Sequence, residues 1–276
     1  MIKSNCHTHT QFCDGKNTAE EMVIGAIERG FDSLGFSGHS PMDFPNDWGM
    51  TKEKLPLYIE EIHRLKEKYK DKIEVICGIE LDSDYTDVDL SDFAYSIGSV
   101  HQLRYGDEIY CLDYSAEETW CCINERFGGN PSLLAKAYFE LLSDFIIKTP
   151  VTLVGHFDLI LKFNEMTEIF DENDPVYRES ALSAVRKILK EKPGMLFEVN
   201  TGAMYRKGRT KPYPSRFILE EIQKLGGRVT VSSDSHKVEG LDFGYDTAYA
   251  LIKDCGFDKI YNLKGDIFIR EKPDFV

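Results

Sequence analysis

Short apolar segments alternate with longer amphipathic segments along most of the chain. The apolar segments are rich in valine, isoleucine, leucine and phenylalanine and have the length of buried parallel strands. Six of them lie at 33–39, 73–80, 93–101, 151–158, 194–202 and 227–236, another ends at His7 and His9, and a shorter candidate lies at 259–263. This alternation predicts a parallel sheet covered by helices.

The amphipathic segments repeat apolar residues at helical spacing. The first begins with Thr18 and Glu21, which form the signature of a capping box, and continues with an apolar face from Met22 to Ile27. Further helices are predicted around 58–69, 134–145, 182–189 and 217–225.

About seven strands alternating with helices favour a closed or nearly closed α/β barrel. An open doubly wound sheet is the alternative, but it usually carries a glycine-rich phosphate turn after its first strand, and that place holds HTHTQFCDG. A length of 276 residues suits one barrel, so we predict a single domain over 1–276. Within it, 104–131 has no clear periodicity and is predicted as an irregular insertion or loop.

The amino-acid composition bears on the binding partners and the location of the protein. The 33 basic residues against 47 acidic ones give a net charge of −14, which argues against binding to nucleic acid or to an anionic membrane. No segment has the length and apolarity of a membrane span. The seven cysteines form no CxxC pair, which favours reduced thiols and a cytoplasmic location. The sequence does not indicate an oligomeric state.

Histidines and acidic residues fall at the C-terminal ends of the predicted strands. All seven histidines except His63 lie there, together with Glu80 and Asp234. The C-terminal rim of a β/α barrel is where active sites are built. His63 lies in the middle of a predicted helix and is interpreted as a surface residue. His7 and His9 stand two residues apart and point to the same face of a strand.

Imidazole nitrogens and carboxylate oxygens gathered at one rim suit zinc, iron or manganese. The candidate ligands hold two or three divalent ions, and they are His7, His9, Asp14, His39, Glu80, His101, His156, Asp234 and His236. A carboxylate bridges two ions where a neutral imidazole cannot, and Glu80 is the best-placed candidate. Asp14 is either a ligand or a turn residue followed by a left-handed Gly15.

The ordered motifs HTH, SGH, GIE, SVH, GH and SDSH, from His7 to His236, resemble the PHP (polymerase and histidinol phosphatase) superfamily. Three further segments, CLDYS at 111–115, GHFDLILKF at 155–163 and FEVNTG at 197–202, are similar to its stand-alone histidinol-phosphate phosphatase branch. The resemblance implies a distorted (β/α)7 barrel with a trinuclear site. Some members have CPH where this chain has CDG, so the third ion depends on Asp14.

The resemblance also implies a distribution of ligands among the ions. His7, His9, Glu80 and Asp234 would hold the first ion. Glu80, His101 and His156 would hold the second, with Glu80 as the bridge. Asp14, His39 and His236 would hold the third. Glu80, Asp234 and His236 are assigned catalytic roles as well.

The reaction expected from this resemblance is hydrolysis of L-histidinol phosphate to L-histidinol and phosphate, a step of histidine biosynthesis. A hydroxide that bridges the metal ions would attack phosphorus in line. Arg206 is the candidate phosphate clamp, because a guanidinium binds two oxygens at once. Lys162 is the second candidate, and a solvated surface position is the alternative for each.

Other functions remain open from the sequence. Another small phosphomonoester would be hydrolysed by the same mechanism, and a PHP-type phosphodiesterase is a further alternative. An amidohydrolase-type enzyme also begins with HxH, but it bridges its ions with a modified lysine, which no strand end here supplies. A non-catalytic module with a degenerate site would lack ligands, and only Asp14 departs from the family pattern.

Overall fold

The computed structural model describes residues 2–272, so Met1 and residues 273–276 of the predicted domain lie outside the described residues. The strands are β1 (Ser4–Asn5), β2 (Ser33–Phe36), β3 (Glu74–Asp82), β4 (Tyr95–Ser99), β5 (Gln102–Tyr105), β6 (Glu108–Cys111), β7 (Leu153–Val154), β8 (Leu196–Asn200), β9 (Arg228–Ser232), β10 (Ile260–Lys264) and β11 (Ile267–Glu271). The helices are α1 (Ala19–Glu28), α2 (Lys54–Tyr69), α3 (Ala116–Phe127), α4 (Pro131–Lys148), α5 (Pro175–Glu191), α6 (Gly202–Lys207), α7 (Arg216–Lys224) and α8 (Tyr245–Asp254).

Seven parallel strands form the central sheet, in the order β1-β2-β3-β4-β7-β8-β9. The two edge strands meet just beyond their ends, where Thr8 and Ser235 form a parallel bridge. The main-chain nitrogen of His9 donates to the Ser235 oxygen at 2.9 Å, and that of Ser235 donates to the His7 oxygen at 3.1 Å. The sheet is therefore a nearly closed barrel, which confirms the predicted fold class.

The helices cover the outside of the barrel. Each has apolar residues at helical spacing, and these form a face that packs on the sheet. The predicted capping box is present at α1, where the Thr18 hydroxyl accepts from the Glu21 main chain and the Glu21 carboxylate accepts from the Thr18 nitrogen. The α5 helix begins with Pro175 after Asp174, whose carboxylate accepts from the Val176 nitrogen. Such first turns set where each helix leaves the rim of the barrel.

An antiparallel hairpin of β10 and β11 lies against the end of the barrel where the parallel strands begin. Leu263 of this hairpin packs on an apolar cluster that includes Ile76, Tyr95 and Ile97. The segment 259–263 is thus a strand, as predicted, but it is not part of the parallel sheet. Its side chains close the barrel end that carries no metal ligands.

The region 104–131 is more regular than the sequence indicated. It contains the end of a hairpin formed by β5 and β6, followed by the whole of α3. The α3 helix begins after Ser115, whose hydroxyl accepts from the Glu118 nitrogen, and ends at Gly128 in a left-handed conformation. The short strands of the hairpin and the mixed polarity of the helix removed the periodicity that would have predicted them.

Two absences within residues 2–272 bear on the expectations. None of the helices described there combines the length and apolarity that crossing a bilayer requires. All seven cysteines lie in this part of the chain and are free thiols, as expected.

Candidate metal centre

The strand ends bring all the predicted ligands to one rim of the barrel. Every histidine except His63 lies in this cluster, whereas His63 is exposed on α2 as predicted. The cluster is almost entirely shielded from solvent, with His7 and His9 fully buried. Burial of so many ionisable groups is costly unless they pair or bind a cation.

Glu80 lies at the centre of the cluster. Its Oε2 atom is 2.9 Å from Nδ1 of His39 and 3.2 Å from Nε2 of His7. Its Oε1 atom is 3.1 Å from Nε2 of His156 and 3.5 Å from Nε2 of His101. Nε2 of His9 also lies 3.6 Å from Oε2. The two carboxylate oxygens therefore face two different sets of imidazoles, which is the arrangement of a carboxylate that bridges ions.

Asp234 faces the two histidines of the first strand. Its Oδ1 atom is 3.2 Å from Nε2 of His9 and 3.7 Å from Nε2 of His7. Its backbone is left-handed, with φ at 46°, a strained conformation that is typical of functional sites. Arg206 binds both oxygens, with Nη2 at 2.7 Å from Oδ2 and Nη1 at 3.0 Å from Oδ1.

Asp14 completes a third group of ligands. Its Oδ2 atom is 2.9 Å from Nε2 of His236, and its Oδ1 atom is 3.6 Å from Nδ1 of His9 and 3.8 Å from Nε2 of His39. The turn alternative required a left-handed Gly15, but Gly15 does not have a positive φ. A side chain there would instead collide with the main chain, since a Cβ atom would lie 2.4 Å from a backbone nitrogen.

Two buried carboxylates orient histidines from behind. Glu198 lies 2.6 Å from Nδ1 of His7 and accepts from the main-chain nitrogen of His156 at 2.8 Å. Asp82 lies 2.7 Å from Nδ1 of His101. When each Nδ1–H donates to its carboxylate, the lone pair on Nε2 faces the cluster, and such partners raise the basicity of a metal ligand.

The electrostatics of the cluster keep its carboxylates ionised. Burial alone would raise the pKa of Glu80, but the surrounding imidazoles outweigh it and hold that pKa well below its usual range. Burial would also raise the pKa of Asp234, but the charges of Arg206 and His7 outweigh burial and hold that pKa well below its usual range. Burial and the neighbouring His236 lower the pKa of His9, which is therefore neutral at pH 7 and has a lone pair to donate.

The ligand atoms fit divalent ions. Nε2 of His7, Nε2 of His9, Oδ1 of Asp14 and Oε2 of Glu80 are buried and have no hydrogen-bond partner, so their bonding capacity is unused by the protein. Groups of three or four such residues have ligand atoms within 4.8 Å of one another. A buried set of nitrogen and oxygen donors of this kind is a site for divalent metal ions.

A cavity of about 550 Å³ opens above the cluster and contains both predicted substrate-binding residues. Each already has a carboxylate partner, since Arg206 pairs with Asp234 and Lys162 lies 3.1 Å from Asp113. Lys207 lines the same cavity without an acidic partner within the described chain. Cationic side chains thus line the cavity on the open side of the ligand cluster.

Sequence reasoning missed several residues of the site. A detectable signal existed for Glu198, which is a carboxylate in the middle of the buried strand segment FEVN, and for Asp82, which lies two residues after Glu80 and on the same face of β3. Trp48, whose ring centroid is 4.9 Å from that of His39, comes from a loop that has no such signal.

A parallel barrel with histidines and carboxylates at its C-terminal rim defines a metal-dependent hydrolase. The model of the PHP domain matches residues 5–202. The chain belongs to the PHP family.

Two curated relatives cover nearly the whole chain. A protein of Schizosaccharomyces pombe named "Probable histidinol-phosphatase" is 30% identical over 92% of this chain and 87% of its own length. The histidinol-phosphatase of Bacillus subtilis is 27% identical over 89% of this chain and 98% of its own length. The similarity extends beyond the residues matched by the family model.

A solved structure shares the fold. Histidinol phosphate phosphatase from Lactococcus lactis, complexed with zinc, L-histidinol and phosphate, superposes with a TM-score of 0.72. It is 22% identical, and the match covers 97% of this chain and 98% of that one.

Proposed function

We propose that this chain is a metal-dependent phosphomonoesterase that hydrolyses L-histidinol phosphate to L-histidinol and phosphate. The observation that carries the proposal is the position of Glu80, whose two oxygens each face a different set of buried histidines. Full-length relatives named histidinol-phosphatase support the choice of substrate. The solved relative binds L-histidinol and phosphate, the two products of this reaction.

Divalent ions held by this cluster would supply positive charge for the phosphoryl oxygens and a nucleophile at neutral pH. The residues of the chain hold and orient them. We assign His7, His9, Glu80 and Asp234 to one ion, and Glu80, His101 and His156 to a second. The third set is Asp14, His39 and His236, whose mutual distances support a third ion.

Arg206 and Lys162 are the proposed phosphate ligands. The Arg206 guanidinium reaches Asp234 at 2.7 Å and so fixes its own plane at the edge of the cavity. Its Nη1 atom also lies 3.0 Å from Oδ1 of Asp234, so the guanidinium is a fixed positive charge on the cavity wall, where a phosphoryl group would gain from it. Lys162 approaches the same space from the other side, oriented by Asp113.

Ion number and identity are part of the proposal. We propose three ions, with zinc as the first choice because the cluster is dominated by imidazole nitrogens, and with iron or manganese as alternatives. Metal analysis of purified protein tests the count. Asp14→Asn is expected to remove one ion per chain and to leave the other two in place, and an unchanged content would contradict the third site.

The free thiols are compatible with the reducing cytoplasm, where we place the enzyme. A net charge of −14 supports a small substrate over nucleic acid. The amidohydrolase alternative gains no support from the geometry, since the central position between the histidines is held by the carboxylate of Glu80.

The test of function is a substrate comparison with zinc-loaded protein. We expect L-histidinol phosphate to be hydrolysed with a higher kcat/KM than p-nitrophenyl phosphate, and the diester bis-p-nitrophenyl phosphate to be hydrolysed poorly. Glu80→Gln is expected to lose about 10³-fold in kcat, since metal binding contributes several kcal/mol to transition-state stabilisation. Glu60→Gln, an exposed substitution on α2, is the matched control. Preference for the diester would overturn the proposal.

A further inference from the structure

The cavity over the metal cluster continues into a second cavity of about 780 Å³. The two share part of their walls, including His39, His101 and Asp113, so a ligand bound at the metals can extend from one into the other. We call the first one the phosphate chamber and the second one the outer chamber. Neither is large enough to need a macromolecular occupant.

The two chambers differ in charge. The walls that belong to the phosphate chamber alone include Lys162, Arg206 and Lys237. The walls that belong to the outer chamber alone include Asp47 and Glu118 and no basic residue. Lys16 and Lys207 lie on the boundary and line both chambers.

The carboxylates of the outer chamber are free to bind a ligand. Asp113, on the shared wall, is already paired with Lys162 at 3.1 Å. Within residues 2–272, by contrast, neither Asp47 nor Glu118 forms an ion pair, and the Glu118 carboxylate only accepts from a main-chain nitrogen at 3.4 Å. Neither negative charge is therefore held in a direct ion pair by the described protein.

An aromatic wall stands beside them. Trp48 lies with its ring centroid 4.9 Å from that of His39 and 5.7 Å from that of His101, so it adjoins the metal ligands directly. Tyr114, which is 77% exposed, lines the same chamber farther out. A large exposed aromatic side chain beside uncompensated carboxylates is the recognition pattern for a cationic, flat group.

We propose that the outer chamber is the specificity site for the alcohol half of the substrate, and that Asp47, Glu118 and Trp48 select a cationic leaving group. The inference rests on the proposed function. L-histidinol carries an ammonium group and an imidazole, which are suited to two carboxylates and an indole face. The segregation of charge then orients the substrate, with its phosphate toward the lysines and its cation toward the carboxylates.

The test uses two substrates and two variants. The double variant Asp47→Asn/Glu118→Gln keeps the shape of the chamber and removes its charge, and Trp48→Leu removes the aromatic face. Each is expected to lower kcat/KM for L-histidinol phosphate by about 10- to 100-fold, mainly through KM, because contacts with a charged group are lost. In the double variant, hydrolysis of p-nitrophenyl phosphate, which has no cation, is expected to stay within about twofold. For Trp48→Leu the loss on L-histidinol phosphate is expected to exceed the loss on p-nitrophenyl phosphate several-fold. Glu117→Gln, an exposed neighbour on α3 that lines neither chamber, is the matched control.

A binding measurement gives a second readout. L-histidinol is expected to inhibit p-nitrophenyl phosphate hydrolysis by the wild type, with an inhibition constant that rises in both variants and not in Glu117→Gln. Equal losses on both substrates, or no loss on either, would overturn the specificity site while leaving the phosphatase intact. A wild type that hydrolyses p-nitrophenyl phosphate but not L-histidinol phosphate would instead overturn the proposed function, and this inference with it.

Discussion

Glu198 lies beneath the cluster of metal ligands and binds four neighbours at once, one of which is the hydroxyl of Ser232. It orients His7, holds the main chain of His156 and accepts the amide of Asn200 at 2.9 Å. Burial would raise its pKa, but His7 outweighs that effect, and the pKa is held below the usual value. An ionised carboxylate at this place strengthens His7 as a ligand without contacting an ion itself.

Substitution Glu198→Gln tests this role. The amide keeps the size of the side chain but loses the charge, so we expect metal affinity or kcat to fall by about 10- to 100-fold. Competition with a chromophoric chelator measures the affinity. Glu191→Gln, exposed at the end of α5, serves as the control. Unchanged zinc affinity would mean that Glu198 only supports the fold.

At the residue scale, the ligands could be predicted because histidine is rare and because strand ends converge in a barrel. Six histidines at equivalent strand ends predict that they meet at one rim. Asp113 and Trp48 could not be found in this way. They enter the site from connections whose path over the rim depends on packing and not on a repeating pattern.

At the element scale, strands β2, β3 and β4 leave room for one large ring inside the barrel. The Tyr95 hydroxyl donates to the carbonyl oxygen of Cys6 at 2.6 Å. Its ring covers Gly35 and Gly78, where a Cβ atom would lie 2.4 Å and 2.3 Å from the nearest Tyr95 atom. These glycines are required by close approach, since neither has a positive φ.

Gly78→Ala is therefore expected to destabilise the metal-free protein by about 1–3 kcal/mol, the usual cost of overpacking. Urea denaturation measures the change. The double variant Gly78→Ala/Tyr95→Leu removes the obstructing ring and is expected to show less than the sum of the two single effects. Strict additivity would show that the ring is not the source of the strain.

Glu20 connects α1 to α2 and gives a pH-dependent contribution. Hydrogen bonds from Lys68, Tyr69 and Arg64 lower its pKa from 4.5 to about 2. Because the folded pKa is lower than the unfolded one, the stabilisation is complete above pH 4.5 and is lost as the pH falls toward 2.

We expect Glu20→Gln to reduce the free energy of unfolding by about 1 kcal/mol or less at pH 7, since the pair network is partly exposed. The difference from the wild type should shrink between pH 4.5 and pH 3. Urea titrations at several pH values follow it, with Glu28→Gln on the same helix as the control. A difference that grows on acidification would contradict the assignment.

The helices and most barrel strands could be predicted because their apolar spacing and the α1 capping box are local properties. The β10 strand shows the limit. A short apolar segment of this kind can form either a barrel strand or one strand of an antiparallel hairpin. Contact with Tyr95 and its neighbours determines that β10 belongs to a hairpin. The α3 helix was not predicted either, because its mixed polarity gives 104–131 no helical periodicity.

At the scale of the whole molecule, bound metal should stabilise the fold, because the ions bind the assembled rim and not the unfolded chain. Removing metal with a chelator is expected to lower Tm by about 5–10 °C, corresponding to about 2.7 kcal/mol at a metal concentration 100 times Kd. Calorimetry before and after zinc is restored measures the shift. In Glu80→Gln the shift should be smaller, and an equal Tm with and without metal in the wild type would contradict the coupling.

The pairing of Thr8 with Ser235 joins the first and last strands of the barrel, and both strands bring metal ligands to the rim. During synthesis His7 and His9 leave the ribosome more than 200 residues before Asp234 and His236. A nascent chain therefore has no complete metal pocket until its barrel can close. We therefore expect metal ions to bind only after the barrel has closed, through ligands that follow both edge strands of the sheet.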